Sequence, residues 1–247
     1  MNFLEQVVLI TGGASGMGAA CVQAFTESGA KVVLIDRNQT LGLEVSKRTG
    51  SSFEAGDIAD SSFCEAAVQR SFEQFGRIDV LVNAAGIIVR SSGLETSDEA
   101  WHRIMNVNLS GSFFMARAAL KIMKTQQRGA IVNFGSIWGD VGAAGVAAYC
   151  ASKGAIHNLT RALALEHAQD GIRINAVCPG EVNTPMLQAE RSEPITQALL
   201  EQLAQTVPMG RLAAPEEIAR VVLFLASSQA SYMTGSLVTV DAGFTAR

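Results

Sequence analysis

Tyr149 and Lys153 stand four residues apart in Tyr149-Cys150-Ala151-Ser152-Lys153, which opens an apolar, helix-periodic stretch. One helical turn separates them, so both side chains share a face. An ammonium beside a phenol favours the phenolate. At ~4 Å and an effective dielectric of ~20 the attraction is ~4 kcal/mol, an upper limit near three pK units, which would bring a phenol from ~10 toward neutrality. Such a tyrosine takes a proton from an alcohol or returns one to a carbonyl, the proton half of a hydride transfer. Because Tyr-x-x-x-Lys also occurs by chance on surface helices, the hydride half must come from elsewhere in the chain.

It is supplied at the amino end, where Val7-Val8-Leu9-Ile10 reads as a buried strand and runs straight into Thr11-Gly12-Gly13-Ala14-Ser15-Gly16-Met17-Gly18. Strand, glycine turn and helix is the order a phosphate site requires. Gly12, Gly16 and Gly18, with Ser15 and Met17 between them, form a candidate pyrophosphate loop. A helix beginning near Gly16 offers unpaired N–H groups and a positive dipole end. The spacing is G-x-x-x-G-x-G, which differs from the commoner G-x-G-x-x-G. A second apolar strand, Lys31-Val32-Val33-Leu34-Ile35, ends in Asp36, close to the ~20-residue offset at which an acid meets the adenosine ribose. A carboxylate there accepts hydrogen bonds from the 2′-hydroxyl and repels a 2′-phosphate, so NAD is the expected cofactor. Arg37 argues for NADP, since a guanidinium pairs with phosphate, but neither Ala14 nor Ser15 adds a second positive charge.

With these two sites in place, the chain resembles the compact, single-domain short-chain dehydrogenases/reductases over essentially its whole length. Further motifs follow in that family's order: Asp57-Ile58, Asn83-Ala84-Ala85-Gly86, Asn106-Val107-Asn108-Leu109, Ile131 to Ser136, then Tyr149 and Lys153, then Pro179-Gly180 with Val182 and Thr184. Ala84 and Ala242 depart from the family pattern. The resemblance implies that Asp57 and Ile58 meet the adenine, that Asn83 and Gly86 flank the cofactor, and that Pro179, Gly180, Val182 and Thr184 hold the nicotinamide carboxamide. It also implies that Tyr149 is the acid/base, that Lys153 additionally bonds the nicotinamide ribose, and that Asn108 holds a water linking Lys153 to solvent. Ser136 offers a neutral hydroxyl to hold the substrate oxygen.

Strand candidates ending near Ile10, Ile35, Phe53, Val82, Phe134 and Val177, with a last one at Leu237–Val240, alternate with helix-periodic stretches. That alternation predicts an α/β, doubly wound parallel sheet, Rossmann-like, of about seven strands with helices on both faces. Ligands then bind beyond the strands' carboxyl ends at the switch point. Residues 1–247 read as one domain, and 48% hydrophobic content suffices for its core. A net charge of −4 without a basic run argues against nucleic acid. His102, His157 and His167 show no metal-ligand spacing, so no metal is expected. The isolated cysteines Cys21, Cys64, Cys150 and Cys178 fit a reducing compartment. Met1 to Gln6 lack the features of a signal peptide and no apolar run reaches ~20 residues, so no membrane association and a cytoplasmic location are expected.

The stretch from Pro185 to Gly210, broken at Pro194 and Pro208, reads as a helical lid. Trp138 and Met186 are candidate substrate walls, and Arg90 and Arg191 are candidate readers of an anionic group. A secondary alcohol or its ketone is the expected substrate, with its identity open. Two alternatives stand beside this reading: an NADPH-dependent 3-oxoacyl reductase, for which Arg37 speaks, and a non-catalytic nucleotide sensor, against which the full set Asn108, Ser136, Tyr149 and Lys153 speaks. Family resemblance further implies a homotetramer paired through the helical stretches Asp98 to Met123 and Ala148 to His167.

Overall fold

The computed structural model describes residues 1–189, 191 and 194–246. Among them seven strands form one parallel sheet: β1 (Val7–Thr11), β2 (Lys31–Asp36), β3 (Ser52–Ala55), β4 (Val80–Asn83), β5 (Gly129–Phe134), β6 (Ile172–Pro179) and β7 (Leu237–Val240). They lie in the order β3-β2-β1-β4-β5-β6-β7. The strands expected from sequence are therefore all present, and the chain is the doubly wound, Rossmann-like single domain predicted.

The pleat explains both cores. Alternate residues of β1 point to opposite faces: Val8 and Ile10 join Val32, Leu34, Val80 and Val82 in one cluster, whereas Val7 and Leu9 join Val33, Ile35 and Leu81 in the other. The first cluster is capped by α1 (Gly16–Glu27), α2 (Gln39–Thr49) and α8 (Pro215–Ala226) through Cys21, Val22, Val45 and Ile218. The second is capped by α3 (Ser61–Phe75), α5 (Ser112–Gln126) and α6 (Ala147–His167) through Val68, Met115, Met123 and Leu163. Burial on both faces is what makes these strands continuous apolar runs.

Helix boundaries follow local chemistry. Asn38 and Asp60 cap α2 and α3 by accepting from Leu41 and Ser62 amides, and Gly50 and Gly76 end them in the left-handed conformation. The expected helical stretch beginning at Asp98 is α4 (Asp98–Met105) running into α5 through a π-helical turn at Asn106–Gly111. Within 185–210 lie a short 3₁₀ turn, Pro185–Leu187, and α7 (Gln197–Thr206). Glu190, Ser192 and Glu193 of the expected lid fall outside the described residues. No helix among the described residues is long and apolar enough to cross a membrane.

One acid ties the amino end of the sheet together. Asp79, 4% exposed, accepts from the Val7 amide at 2.9 Å and pairs with Arg77 at 2.7 Å and Arg128 at 2.6 Å. Removing it strands two cations, although both arginines keep water on one side. Asp79→Ala is expected to lower unfolding free energy in urea by about 2 kcal/mol, below the ~3–5 kcal/mol of a fully buried pair.

Candidate functional site

At the point where β1 passes to β2 on one side and β4 on the other, a cleft of about 1050 Å³ opens along the strands' carboxyl ends. Gly12, Ser15, Gly16, Met17 and Gly18 form one wall; Asp36, Asp57 and Ile58 form another. The glycines are dictated by space. Gly12 adopts φ +68, and a Cβ on it would sit 2.6 Å from the Ala85 Cα; a Cβ on Gly18 would collide with the Gly12 carbonyl. Ser15, at the amino end of α1, is extended and makes no side-chain cap. This leaves the helix's first amides facing a cradle no side chain fills, a setting that suits a pyrophosphate. Asp36 is held by the Ala14 amide at 3.1 Å on one oxygen and the Asn38 amide at 2.9 Å on the other. Each oxygen keeps a lone pair for a ribose hydroxyl. These residues fit a dinucleotide.

A second pocket, about 700 Å³, continues from this cleft through Met17, Gly86, Thr184 and Met186. Ser136, Tyr149 and Lys153 line it together with Pro179, Gly180, Val182 and Trp138. Trp138 packs edge-on against Tyr149 with ring centroids 6.1 Å apart. Three predicted residues line neither space: Arg191, Asn83 and Asn108. Asn83 turns its amide into the sheet, donating to Asn133 Oδ1 at 3.0 Å and to the Ser112 carbonyl, so that Ala84, Ala85 and Gly86 present the backbone there instead. Asn108 sits behind Gly86 in the π-helical turn. Its Oδ1 accepts from the Ile87 amide at 2.8 Å and its Nδ2 donates to the Ile87 carbonyl and to Ser152 Oγ. A π turn at a functional site is a recurrent use of that geometry.

The electrostatics of Tyr149 and Lys153 differ from the sequence expectation. Both are buried apart from the edge each shows to the pocket, and burial pushes the phenol up to about 12 rather than toward neutrality, with the Ser136 hydroxyl only partly opposing it. Burial likewise brings the Lys153 ammonium down to about 8. Lys153 Nζ donates to the Phe134 carbonyl at 2.7 Å and lies 5.6 Å from the Tyr149 ring centroid. It thus sits over the ring while bonded to a carbonyl, and desolvation outweighs the attraction that spacing alone implied.

A chain of polar groups that sequence reasoning missed lies directly behind Ser136, buried at Cys178 and His157 and reaching the surface at Asp140. His157, one turn beyond Lys153, places Nδ1 3.1 Å from Asp140 Oδ1 and Nε2 3.3 Å from Cys178 Sγ. Asp140 can only accept here, so the proton belongs on Nδ1. Nε2 then accepts from the thiol, which burial pushes up to about 12, and from the Ser136 amide at a long 3.4 Å. Gly135 is required by this packing, because a Cβ on it would approach His157 Nε2 to 2.5 Å. The i+4 spacing from Lys153 was the available signal. Glu181, between the predicted Gly180 and Val182, also lines the pocket. Among the described residues no group of His, Cys, Asp or Glu is arranged to hold a metal ion.

A family model described as Enoyl-(Acyl carrier protein) reductase matches residues 12–245. The chain belongs to the short-chain dehydrogenase/reductase family. Its relatives in that family include the meso-2,3-butanediol dehydrogenase of Serratia marcescens, 41% identical over 254 residues covering 100% of this chain and 97% of the relative. The cyclopentanol dehydrogenase of a Comamonas species is 40% identical, with 98% of each chain covered. Among solved structures, levodione reductase superposes with a TM-score of 0.95 at 35% identity, covering 99% of both chains. Like them, this short-chain dehydrogenase/reductase is an oxidoreductase.

The lowered Lys153 pKa carries a sign for stability. Its folded value lies below the ~10.5 of an unfolded lysine, so the contribution to folding is fullest above that value and is lost as pH falls through about 8. At pH 7 the buried ammonium opposes folding. Lys153→Met is expected to raise the thermal midpoint at pH 7 by about 2 °C or more, with the gain shrinking at pH 10; scanning calorimetry at the two pH values reads this directly.

Proposed function

We propose that the protein is an NAD-dependent dehydrogenase acting on a secondary alcohol or its ketone, with Tyr149, Ser136, Lys153 and Asn108 as its chemical machinery. The observation that carries this reading is the opening of Ser136, Tyr149 and Lys153 into one pocket that is continuous with the glycine-loop cleft. A nicotinamide dinucleotide bound there supplies or accepts the hydride. Tyr149 moves the proton at the substrate oxygen. Ser136 Oγ already accepts from the Trp138 amide at 3.2 Å, which leaves its own proton for that oxygen. Lys153 stabilises negative charge as the phenol ionises, and its position against the ring is compatible with a second contact to the nicotinamide ribose. Asn108 fixes the Ile87 backbone beside Lys153 and keeps a lone pair on Oδ1 for a proton-carrying water.

Asp36 supports NAD, because a 2′-phosphate would be set against its carboxylate. Asp57 and Ile58 offer the adenine wall; Pro179, Gly180, Val182 and Thr184 offer the carboxamide wall. The named activities of the relatives, on butanediol and cyclopentanol, support a small alcohol as substrate. Met186 borders both spaces, Pro185 the glycine-loop cleft and Leu187 the pocket, and with α7 they are proposed as a lid, Met186 and Trp138 closing on the substrate. The second reading, an NADPH-dependent 3-oxoacyl reductase, is favoured by Arg37, which borders the cleft. Association into a homotetramer through α4, α5 and α6 is supported by Leu165 on α6, 82% exposed, and light scattering should give four chains of 26.0 kDa. The unpaired cysteines support a reducing, cytoplasmic setting.

Turnover of secondary alcohols with NAD, followed by nicotinamide absorbance at alkaline pH, tests the central reading. Tyr149→Phe is expected to lower kcat by at least ~10²-fold while NADH affinity, read by fluorescence, stays within about twofold. An active Tyr149→Phe protein would remove the tyrosine from this role, and nucleotide binding without turnover of any alcohol would favour a sensor. Asp36→Ala is expected to shrink the NAD-over-NADP ratio of kcat/KM by about tenfold, roughly the worth of one charged hydrogen bond. An NADPH preference in the unaltered protein would favour the reductase reading.

A further inference from the structure

Two charged side chains in the pocket before Tyr149 have no part in this chemistry: Arg90 and Glu181. They stand on separate loops, after β4 and after β6, and both backbones are pinned. Ser91 bridges to Val146 and Val182 to Ala213, and the Glu181 carbonyl accepts from the Ala213 amide at 3.0 Å. Arg90 donates its Nε to the Ala189 carbonyl at 3.2 Å, which leaves its terminal nitrogens without an acceptor among the described residues. The Glu181 carboxylate likewise has no hydrogen-bond donor among the described residues. Burial raises its acid above the usual carboxylate range, against the pull of Arg90 and Arg191. The Tyr149 phenol feels the charges of both Glu181 and Arg90. A half-buried carboxylate lacking a donor is costly, and the cost disappears if a ligand provides one.

Resting on the dehydrogenase reading, we propose that Glu181 and Arg90 form a subsite for a second oxygen of the substrate, which is therefore a neutral diol. A hydroxyl donates to a carboxylate and accepts from a guanidinium at once, whereas a ketone or ether oxygen can only accept. An apolar substituent would leave both side chains unserved. A substrate carboxylate would suit Arg90, and Arg191, whose Nε is held by the Leu187 carbonyl at 2.8 Å, but would be set against Glu181. Because both loops are fixed before binding, little ordering cost attaches to the second contact.

The test compares kcat/KM for 2,3-butanediol, 2-butanol and lactate with NAD in the unaltered protein, Glu181→Met, Arg90→Met and Glu181→Gln. The diol is expected to exceed 2-butanol by about tenfold or more, the scale of a hydrogen bond to a charged group. Each methionine variant should bring that ratio close to one, chiefly through KM. Glu181→Gln keeps an acceptor oxygen and should retain most of the preference, which a merely structural role would not predict. Equal use of diol and 2-butanol, or a ratio unmoved in both methionine variants, would overturn the subsite while leaving the dehydrogenase reading intact. Preference for lactate would overturn the neutral substrate and make the arginines the readers. No turnover of any of the three with NAD or NADP would overturn the dehydrogenase reading and the subsite with it.

Discussion

An ammonium enclosed against a phenol is the constraint around which the rest of this site is arranged. Lys153 cannot stay charged in that position without an acceptor, and the Phe134 carbonyl at the end of β5 supplies it. The bond requires α6 to lie across the carboxyl end of the sheet, so that the helix carrying Tyr149 and the strand end carrying Ser136 are brought together. Packing of α6 through Leu163 and Ala164 against β6 and its neighbours stabilises that placement. Here the hydrophobic core does the holding, and the polar groups are carried into a position they would not choose in water.

Several parts of this arrangement were legible in sequence because they depend on local rules. The strands announced themselves as short β-branched runs, and the glycine loop could be placed because strand, turn and helix follow one another without a gap. The place of Asp36 on the cleft could be read from its position at the end of β2. All three are matters of chain order, which one sequence carries in full.

What sequence could not give is direction and surroundings. The spacing of Tyr149 and Lys153 brings both to one pocket, yet the sense of the phenol's shift depends on how deeply both are buried, and burial is a tertiary property. Asn83 ends a strand covered on both faces, so no alternation of polar and apolar residues indicates which way its amide turns; it turns toward Asn133. The chain Asp140–His157–Cys178 joins three elements that only the fold brings into contact. The proposed subsite was half legible: Arg90 stood out by its charge, whereas its pairing with Glu181 across two connecting loops follows from no periodic pattern.

The π-helical turn at Asn106–Gly111 gives the long rod from α4 to α5 a change of phase. Each residue in an α-helix advances the face by about 100°, so the wider turn offsets everything downstream of it. Upstream, Ile104 is set against the pocket-side cluster; downstream, Met115, Ala119 and Met123 are set against the sheet. A regular helix of the same sequence would aim one of these two faces at solvent. The turn therefore acts as a gear between two cores, and the side chain lodged in it, Asn108, occupies the one stretch of the rod whose pitch belongs to neither.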